Sequence, residues 1–484
     1  MNARHEPAAA TRMHTTSNET EHLVDLVLDY SRRRILSDDT PLDKPSTEAE
    51  LSRLAGRTIT EGGIGAAKAL SVFEHVLAPA CITTDHPQYL SFIPTAPTKA
   101  ATAFDLVVSA SALYGGSWLE GAGAVYAENQ VLSWLAGEFG LPATAGGVFV
   151  QGGTLGNLSA LVAARDHARH LLASATASTS ASASADAGDT GAVAPTPAPP
   201  GGRWKIVCSA EAHSSIASAA RVMDVDVVAV KPAADGMLRG DDVRTALAEH
   251  GASVFAVVAT AGSTNFGIVD DVASIAALKA DFEFWLHVDG AYGLAAMLSP
   301  LARDRFAGVE HADSVIVDPH KWLFAPFDAC ALIYRDPEAG RRAHTQHAEY
   351  LDTLTETSEW SPSDYAAHLT RRARGLPFWF SLATYGGAAY REAIGHSITV
   401  AADIAREIES REGFSLVRDP QLSVVVFERE GWTKADYDTW SARLLDEQKA
   451  FVTPSSHAGR PNTRFAIVNP NTRFEHLVAI LDTM

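Results

Sequence analysis

The sequence predicts an α/β protein whose mostly parallel sheet has helices on both faces. Two observations lead to this prediction: short apolar runs alternate with helical segments from about residue 146 onward, and turns or polar residues follow most of the runs. The runs that are predicted to be strands lie at 147–150, 204–208, 225–230, 254–259, 285–288, 314–317 and 330–334. Because sites in such sheets form where the carboxyl ends of strands meet the following loops, the residues after these runs are the candidates for chemistry.

The regions around this sheet predict how the chain divides into domains. Residues 1–20 are polar and are predicted to be disordered, whereas 21–95 show apolar residues at helical spacing and then a proline-broken loop. The large domain is predicted over 96–375. A long helical stretch, followed by two apolar runs around a further helix, predicts a small α+β domain over 376–484.

One stretch inside the predicted large domain has a different composition. Residues 173–202 consist almost entirely of Ala, Ser, Thr, Gly and Pro, and Val193 is the largest apolar side chain among them. This composition offers too little apolar surface to form a core. The stretch is therefore predicted to be a flexible surface insertion that follows a helix ending near residue 172.

The charge balance limits the possible partners. The 484 residues carry 58 acidic and 39 basic side chains, a formal net charge of -19, which disfavours nucleic acid and anionic membranes. Three scattered cysteines, Cys81, Cys208 and Cys330, are too few for a disulfide framework or a zinc site. No apolar run reaches the roughly 18 residues of a membrane span, and the N-terminus lacks the apolar stretch of a signal peptide. The sequence thus predicts a cytoplasmic protein that acts on a small molecule without a metal.

A lysine and an aspartate near the ends of two apolar runs carry the strongest chemical prediction. Asp289 ends the run 285–288, and Lys321 follows the run 314–317 within Asp318-Pro319-His320-Lys321. A lysine amine can form a Schiff base with the aldehyde of pyridoxal phosphate (PLP), and a carboxylate can keep the pyridine nitrogen of that cofactor protonated. Taken singly, the lysine could be ion-paired and the aspartate a helix cap. Together they favour PLP chemistry.

A glycine-rich turn supplies a candidate site for the cofactor's phosphate. Residues 151–157, Gln-Gly-Gly-Thr-Leu-Gly-Asn, follow a predicted strand and open a helix. Gly153 lets the backbone approach an anion, the start of the helix presents free N–H groups, and the hydroxyl of Thr154 could add a hydrogen bond. Such turns are common, so this prediction depends on Lys321 downstream.

Four further residues in the loops after strands are candidates for contact with the cofactor. His213 could stack on the ring or act as an acid or base, Thr260 could hydrogen-bond the ring, and Ala291 is small enough to pack against its face. His320 could contact the phosphate or orient the amine beside it. Each also has a structural alternative: a partly buried histidine, a turn threonine, a helix-packing alanine and a turn-shaping histidine.

These motifs, in this order and at this approximate spacing, resemble those of the PLP-dependent group II amino-acid decarboxylases of fold type I, the family typified by aromatic-L-amino-acid decarboxylase. The resemblance extends over roughly residues 60–475. It rests on Gly152-Gly153-Thr154 with Asn157, Ala212-His213-Ser214-Ser215, residues 259–264, His287-Val288-Asp289, Pro319-His320-Lys321-Trp322, His86-Pro87, Pro94-Thr95 and residues 464–467.

The resemblance implies the seven-stranded sheet of PLP fold type I and a role for each matching residue. It implies that Lys321 carries the Schiff base, that Asp289 faces the pyridine nitrogen and that His213 stacks on the ring. The other cofactor contacts that it implies are Gly153, Thr154 and His320 at the phosphate, and Thr260 and Ala291 at the ring.

On the substrate side, the resemblance implies that Phe92, Pro94 and Thr95 contact the substrate, the last two near its carboxylate. Tyr350 matches the mobile-loop tyrosine that completes the decarboxylation site. The family's obligate homodimer implies that the N-terminal segment wraps around a partner chain and that residues near Tyr350 reach toward the partner's site.

Two features depart from the family's pattern. Asp318 stands where Asn is frequent, and it would bring a negative charge close to a phosphate unless it is paired or points away. Of the positions that match the aromatic wall of the pocket, Thr84, Phe92, Ile93 and Gly116, only Phe92 keeps a ring. Gly116 predicts a gap, so a bulkier or differently shaped amino acid could fit, and the identity of the substrate stays open.

The sequence therefore predicts a PLP-dependent decarboxylase that converts an L-amino acid to an amine and CO2. An aldehyde synthase or an aminotransferase on the same fold is one alternative, and Tyr350 argues against the aldehyde synthase because that branch commonly lacks this hydroxyl. A catalytically idle PLP-binding homologue is another alternative. The intact set of Lys321, Asp289 and His213 argues against it.

Overall fold

Seven strands form the central sheet in the computed structural model, which describes residues 13–180, 199, 202–346 and 359–484. They are β1 (Gly146–Val150), β2 (Lys205–Ser209), β3 (Asp226–Val230), β4 (Val254–Thr260), β5 (Trp285–Asp289), β6 (Ser314–Val317) and β7 (Cys330–Tyr334). Their spatial order is β1-β7-β6-β5-β4-β2-β3. The pairs from β3 through β6 are parallel, and β7 runs antiparallel to both β6 and β1. The predicted α/β class and mostly parallel seven-stranded sheet are confirmed.

The register of three neighbouring strands brings predicted site residues to one edge of this sheet. Thr260 at the end of β4 pairs with Asp289 at the end of β5, and Asp289 pairs with Ile316 of β6. Asp318 follows β6 directly, and the N–H of Lys321 donates to the carbonyl of Asp318 at 2.9 Å. Every residue of β4, β5 and β6 is buried, which explains why these strands are almost continuous apolar runs in the sequence.

Helices cover both faces of the sheet because alternate residues of its strands point to opposite sides. Val257 of β4 belongs to one buried cluster, and the next residue, Val258, belongs to another on the opposite face. The helices are α1 (Asn18–Leu36), α2 (Glu48–Ala55), α3 (Ala66–Val72), α4 (Lys99–Ala110), α5 (Trp118–Glu138), α6 (Gly153–Ser180), α7 (Ser214–Met223), α8 (Gly240–His250), α9 (Val272–Ala277), α10 (Pro337–His344), α11 (Leu376–Ser410), α12 (Lys434–Asp446) and α13 (Phe474–Leu481). Among the described helices, none is both long enough and apolar enough to cross a membrane.

A second sheet lies in the C-terminal part of the chain. It is formed by β8 (Phe414–Leu416), β9 (Val424–Arg429), β10 (Ser455–His457) and β11 (Arg460–Ala466), in the antiparallel order β10-β11-β9-β8. Ile404 of α11, Phe427 of β9 and Leu477 of α13 share one buried cluster against it. Helices and an antiparallel sheet thus pack around a core of their own in the region predicted to be α+β.

Two helices differ from the prediction in their bounds. Helix α1 begins at Asn18, inside the segment predicted to be disordered, because the hydroxyl of Ser17 accepts the N–H of Thr20 at 3.2 Å and caps the helix. Helix α6 continues to Ser180 instead of ending near residue 172, since alanine is a strong helix former and no Gly or Pro interrupts this stretch. Residues 1–12 and the rest of the predicted insertion, 181–198 with 200 and 201, lie outside the described residues.

Candidate active site

A cavity of about 600 Å³ opens where the strands β4, β5 and β6 end. Its volume is within the range of small-molecule sites, about 300–1,000 Å³. Its wall includes every residue predicted to contact the cofactor: Gly153, Thr154, His213, Thr260, Asp289, Ala291, His320 and Lys321. The fold therefore brings together residues that come from five separate stretches of sequence.

Lys321 is held in this cavity by acidic neighbours. Its Nζ lies 3.0 Å from Oδ2 of Asp318, three residues earlier in the turn after β6. Burial disfavours the ammonium form, but the negative charges of Asp318 and Asp289 outweigh it and raise the pKa of Lys321 above its usual value. Without a cofactor, the amine of Lys321 is thus protonated, and it must lose a proton before it can attack an aldehyde.

The charge of Asp318 is paired. This answers whether an aspartate at a position where Asn is frequent would bring an unpaired negative charge close to a phosphate. Its carboxylate is buried, accepts the backbone N–H of Gly153 at 3.3 Å, and has Nε2 of His320 at 3.7 Å. Burial favours the neutral acid, yet Lys321 and His320 keep the pKa of Asp318 below its usual value. Asp318 therefore lies as an anion against the glycine turn that is predicted to hold a phosphate.

Asp289 is fixed at the floor of the cavity by two hydrogen bonds. Its Oδ1 accepts the N–H of Ala291 at 3.2 Å, and its Oδ2 accepts the side-chain amide of Asn157 at 2.9 Å. The residue is only 5% exposed. These two donors fix the orientation of the carboxylate in the wall of the cavity, where it can serve as the partner of a pyridine nitrogen.

Two further observations show that the cavity fits PLP. The Oγ1 of Thr260 is buried and has no hydrogen-bond partner among the described residues, so it is available to a polar atom of a bound ring. A Cβ added to Gly153 would lie 3.2 Å from Cβ of Ala291 and 3.1 Å from Oδ2 of Asp318. Glycine thus lets Ala291 and the carboxylate of Asp318 pack closely against the start of α6, the end of a helix that favours an anion.

The two histidines of the cavity are held by the backbone through their Nδ1 atoms. His213 precedes α7 and caps it, since its Nδ1 accepts the N–H of Ser215 at 3.2 Å. Nδ1 of His320 lies 2.7 Å from the carbonyl of Ala329. Burial lowers the pKa of His320, against the pull of Asp318, so this ring is neutral near pH 7. The Nε2 atom of each ring is the one left for other contacts.

The predicted substrate contacts do not join this cavity in the single chain. Phe92, Pro94 and Thr95 are not part of its wall, and the hydroxyl of Thr95 donates to the carbonyl of Ala325 at 2.7 Å. Phe92 is 53% exposed. Tyr350 lies outside the described residues. The roles of these four residues stay predictions.

The gap predicted at Gly116 is filled by a neighbouring tyrosine. A Cβ added to Gly116 would lie 2.3 Å from the hydroxyl oxygen of Tyr114. That hydroxyl donates to the carbonyl of Leu369 at 3.3 Å. The expectation of an empty space was wrong, because a ring two residues earlier in the chain occupies it.

Three buried polar residues, one in the cavity wall and two next to it, were absent from the predicted site. They are Asn157, Ser215 and His287, and hydrogen bonds link them to Asp289 and His213. The sequence does contain a pattern that points to them. Asn157 lies one helical turn after Gly153, and His287 lies two residues before Asp289 and so on the same face of β5.

Residues 65–430 match the family whose description is pyridoxal-dependent decarboxylase conserved domain. An aromatic-L-amino-acid decarboxylase from Bacillus atrophaeus is 27% identical over 478 residues, which cover 95% of this chain and 92% of that protein. An L-2,4-diaminobutyrate decarboxylase from Rhizobium meliloti (strain 1021) is 28% identical over 439 residues, which cover 88% and 83%. The crystal structure of Oryza sativa TDC with PLP and tryptamine has a TM-score of 0.82 and 25% identity, over 99% of both chains.

Proposed function

The chain belongs to the pyridoxal-dependent decarboxylase family, and we propose that it decarboxylates an aromatic L-amino acid, with Lys321 and Asp289 as the residues that engage the cofactor. Membership itself makes the protein a PLP-dependent lyase that releases CO2 from an L-amino acid, and we propose that the second product is the amine. PLP, when bound, supplies the electron sink for the loss of CO2. One observation carries the assignment of residues: the amine of Lys321 and the carboxylate of Asp289 lie in one cavity beside a glycine turn at the start of a helix.

Each side chain of the cavity has a proposed task. Lys321 binds the cofactor covalently and, when it is displaced by substrate, holds a proton near the reacting carbon. Asp289 keeps the pyridine nitrogen protonated, His213 packs on the ring, and the turn at Gly153 and Thr154 binds the phosphate. Thr260 offers the ring its hydroxyl, which has no hydrogen-bond partner in the described part of the chain.

The proposal of an aromatic substrate is supported by two of the relatives that cover nearly all of the chain, the aromatic-L-amino-acid decarboxylase and the structure with tryptamine, and by Tyr114, which adds a ring beside Gly116. The experiment is a comparison of CO2 release from L-tryptophan, L-tyrosine, L-phenylalanine, L-histidine, L-glutamate and L-2,4-diaminobutyrate. The largest kcat/KM is expected for one of the first three. A preference for L-2,4-diaminobutyrate would contradict the substrate class and leave the decarboxylase assignment standing.

Tyr350→Phe is expected to divert the product from amine to aldehyde. After CO2 leaves, the carbon that carried it must take a proton, and we propose that the Tyr350 phenol donates it and that its loop excludes oxygen. Without that proton, oxygen is expected to react: amino acid, O2 and water give aldehyde, CO2, ammonia and hydrogen peroxide. Product analysis under air and under nitrogen tests this, since the aldehyde needs air. An unchanged rate of amine formation in the Phe variant would exclude Tyr350 as the donor.

Asp318→Asn is expected to speed the loading of PLP at neutral pH. Asp318 raises the pKa of Lys321, and only the neutral amine attacks the cofactor's aldehyde. The loading rate of the native protein should therefore increase with pH, and the variant should reach the same rate at a lower pH. At neutral pH, the loading rate should increase about tenfold for each unit by which the substitution lowers the pKa of Lys321. The measurement is the rate of absorbance change after apoenzyme and PLP are mixed at a series of pH values.

A matched control is available in the same cavity. Asp328 also lines the wall, but it pairs with Arg374 and is not among the charges that raise the pKa of Lys321. Asp328→Asn should leave the pH profile of loading in place. Simple relief of repulsion between Asp318 and the phosphate would raise the rate equally at every pH. That result, or an unshifted profile, would contradict the proposed link between Asp318 and Lys321.

A homodimer is proposed because the first helix leaves an apolar stripe uncovered in the single chain. None of the residues of α1 is buried, and Leu23, Val24, Val27 and Leu28, which share one face, are 41% to 44% exposed. Val27→Glu with Leu28→Glu is expected to give a monomer by light scattering after gel filtration. Asp25→Ala, on the same helix, is the control and should stay dimeric. A dimer that survives the double change would exclude this stripe as the interface.

A cytoplasmic location is also proposed. Its support is that Cys81, Cys208 and Cys330 are all free thiols, and that Cys208 and Cys330 are buried. Free thiols persist in a reducing compartment, where disulfides are rare. Fractionation of cells followed by an activity assay would test this location.

A further inference from the structure

A continuous chain of buried hydrogen bonds runs beneath the cavity and ends at two residues of its wall. It begins with the indole N–H of Trp285, which lies 2.8 Å from Oγ of Ser314, and the same oxygen lies 2.8 Å from Nδ1 of His287. Nε2 of His287 lies 2.8 Å from Oδ1 of Asn157. The amide nitrogen of Asn157 then donates twice, to Oδ2 of Asp289 at 2.9 Å and to Oγ of Ser215 at 2.8 Å.

The Asp289 end of this chain fixes the direction of the hydrogen bonds in it. A carboxylate can only accept, which requires the NH2 group of Asn157 on that side and turns its carbonyl oxygen toward His287. His287 must then carry a hydrogen on Nε2 and donate it to that oxygen. Because the ring is neutral, Nδ1 accepts the hydrogen of Ser314, and the oxygen of Ser314 accepts the indole N–H of Trp285.

The hydrogen bonds through Ser215 to His213 also have a fixed direction. Because Oγ of Ser215 accepts from Asn157, its hydrogen is free to go to Nδ1 of His213, 2.8 Å away. The backbone N–H of Ser215 also points at that nitrogen. His213 must then carry its hydrogen on Nε2, the atom that is not used by α7. The amide of Asn157 thus donates to both branches, the one that leads to Asp289 and the one that leads to His213.

Burial makes this arrangement hard to replace. Asn157, Ser215, His287 and Ser314 are each at most 2% exposed, so in the native protein they depend on one another and not on bulk water for their hydrogen bonds. Burial also lowers the pKa of His287 to about 4, although Asp289 acts in the opposite direction, and the ring is therefore neutral at pH 7. A neutral His287 is what the single direction of hydrogen bonds requires.

We propose that Asn157 is a positioning residue for the cofactor: its amide holds the carboxylate of Asp289 toward the pyridine nitrogen and, through Ser215, holds the imidazole of His213 toward the ring. Trp285, Ser314 and His287 serve as the anchor that orients the amide. The inference rests on the assignment of Asp289 and His213 in the proposed function. It adds a residue of the cavity wall that acts through Asp289 and His213.

The first test is a double-mutant cycle on PLP affinity, measured by titration of apoenzyme in the absence of substrate. Asn157→Ala is expected to weaken binding about 10- to 100-fold, because it removes a hydrogen bond to a charged group. In an Asp289→Asn background, the same change should weaken PLP binding about twofold or less, because the charged group to which Asn157 donates is then absent. If the losses of PLP affinity in the two single variants simply add up in the double variant, Asn157 acts through packing alone and the proposal is overturned.

The second test is Asn157→Asp, which keeps the shape and changes only the donor. The new carboxylate would face Asp289 and His287 directly, and His213 through Ser215. While it is protonated it can still donate to Asp289, whereas its ionised form repels that carboxylate. The ratio of the variant's dissociation constant to that of the native protein should therefore rise with pH. A ratio that does not change with pH would overturn the proposal.

A control and a separate readout keep these outcomes distinct. Asn469 is also a buried asparagine that uses both ends of its amide, with Asp85 and Asn471, and it lies outside the cavity. Asn469→Asp should leave PLP affinity and its pH dependence unchanged. If Asn157→Asp fails to fold, the Asn157→Ala cycle still decides. Failure of the native protein to release CO2 would contradict the proposed function, but it would leave a coupled, pH-dependent PLP affinity as evidence for this inference.

Discussion

Lys321→Ala is expected to abolish turnover, with a loss of at least about 1,000-fold, or roughly 4 kcal/mol of transition-state stabilisation. The reason is that the cavity wall contains no other lysine among the described residues, so no second amine can bind the cofactor covalently. PLP should at most be held through its phosphate and ring contacts. Borohydride reduction of the native protein, followed by peptide mapping, should place the pyridoxyl group on Lys321 and should label nothing in the variant.

Lys279 provides the matched control for this substitution. It is also a partly buried, ion-paired lysine, with Nζ 2.8 Å and 2.7 Å from the two carboxylate oxygens of Asp313, but it lies outside the cavity. Lys279→Ala should keep activity and the pyridoxyl label. A label on a different lysine of the native protein would refute the assignment of Lys321 directly.

Asp289→Asn is expected to keep PLP bound but to lose most activity, about 100- to 1,000-fold, or roughly 3–4 kcal/mol. An amide cannot hold the pyridine nitrogen protonated, so the bound cofactor would draw electrons from the substrate less strongly. The side chain would also face the amide of Asn157 at the position where Oδ2 now accepts a hydrogen bond at 2.9 Å. The measurements are kcat, the amount of PLP bound per chain and the circular dichroism of the variant.

The outcome separates two roles of this carboxylate. A merely structural role predicts that the variant loses fold or cofactor together with activity. The electronic role predicts a folded, PLP-loaded protein that turns over slowly. Near-native turnover of such a protein would contradict the electronic role, because the ring nitrogen would then need no charged partner.

The sheet, and the meeting of the candidate cofactor residues at one of its edges, could be predicted from the sequence because both depend on local order. Strands buried on both faces must be apolar throughout, so β4, β5 and β6 stand out as short runs between helices. Parallel strands then bring their carboxyl ends to one edge. Thr260 and Asp289, which are 29 positions apart in the sequence, become direct neighbours in the register for that reason.

The remaining features depend on contacts that no local pattern encodes. Whether Asp318 would repel a phosphate could not be decided until the structure placed Lys321 and the N–H of Gly153 against it. The space beside Gly116 looked empty because its occupant, Tyr114, reaches it only after the chain bends. Asn157 stood in a recognised motif, yet its importance appears only when α6 packs over β5 and its amide meets Asp289.

The most direct test of the account is the stoichiometry of products from an amino acid that carries labelled carbon in its carboxyl group. The purified protein, loaded with PLP, should release one labelled CO2 for each amine formed, under air and under nitrogen alike, and borohydride treatment before the assay should stop both. Amine without CO2 would contradict decarboxylation. Labelled CO2 with aldehyde and hydrogen peroxide in place of amine would show that the native protein is an aldehyde synthase instead.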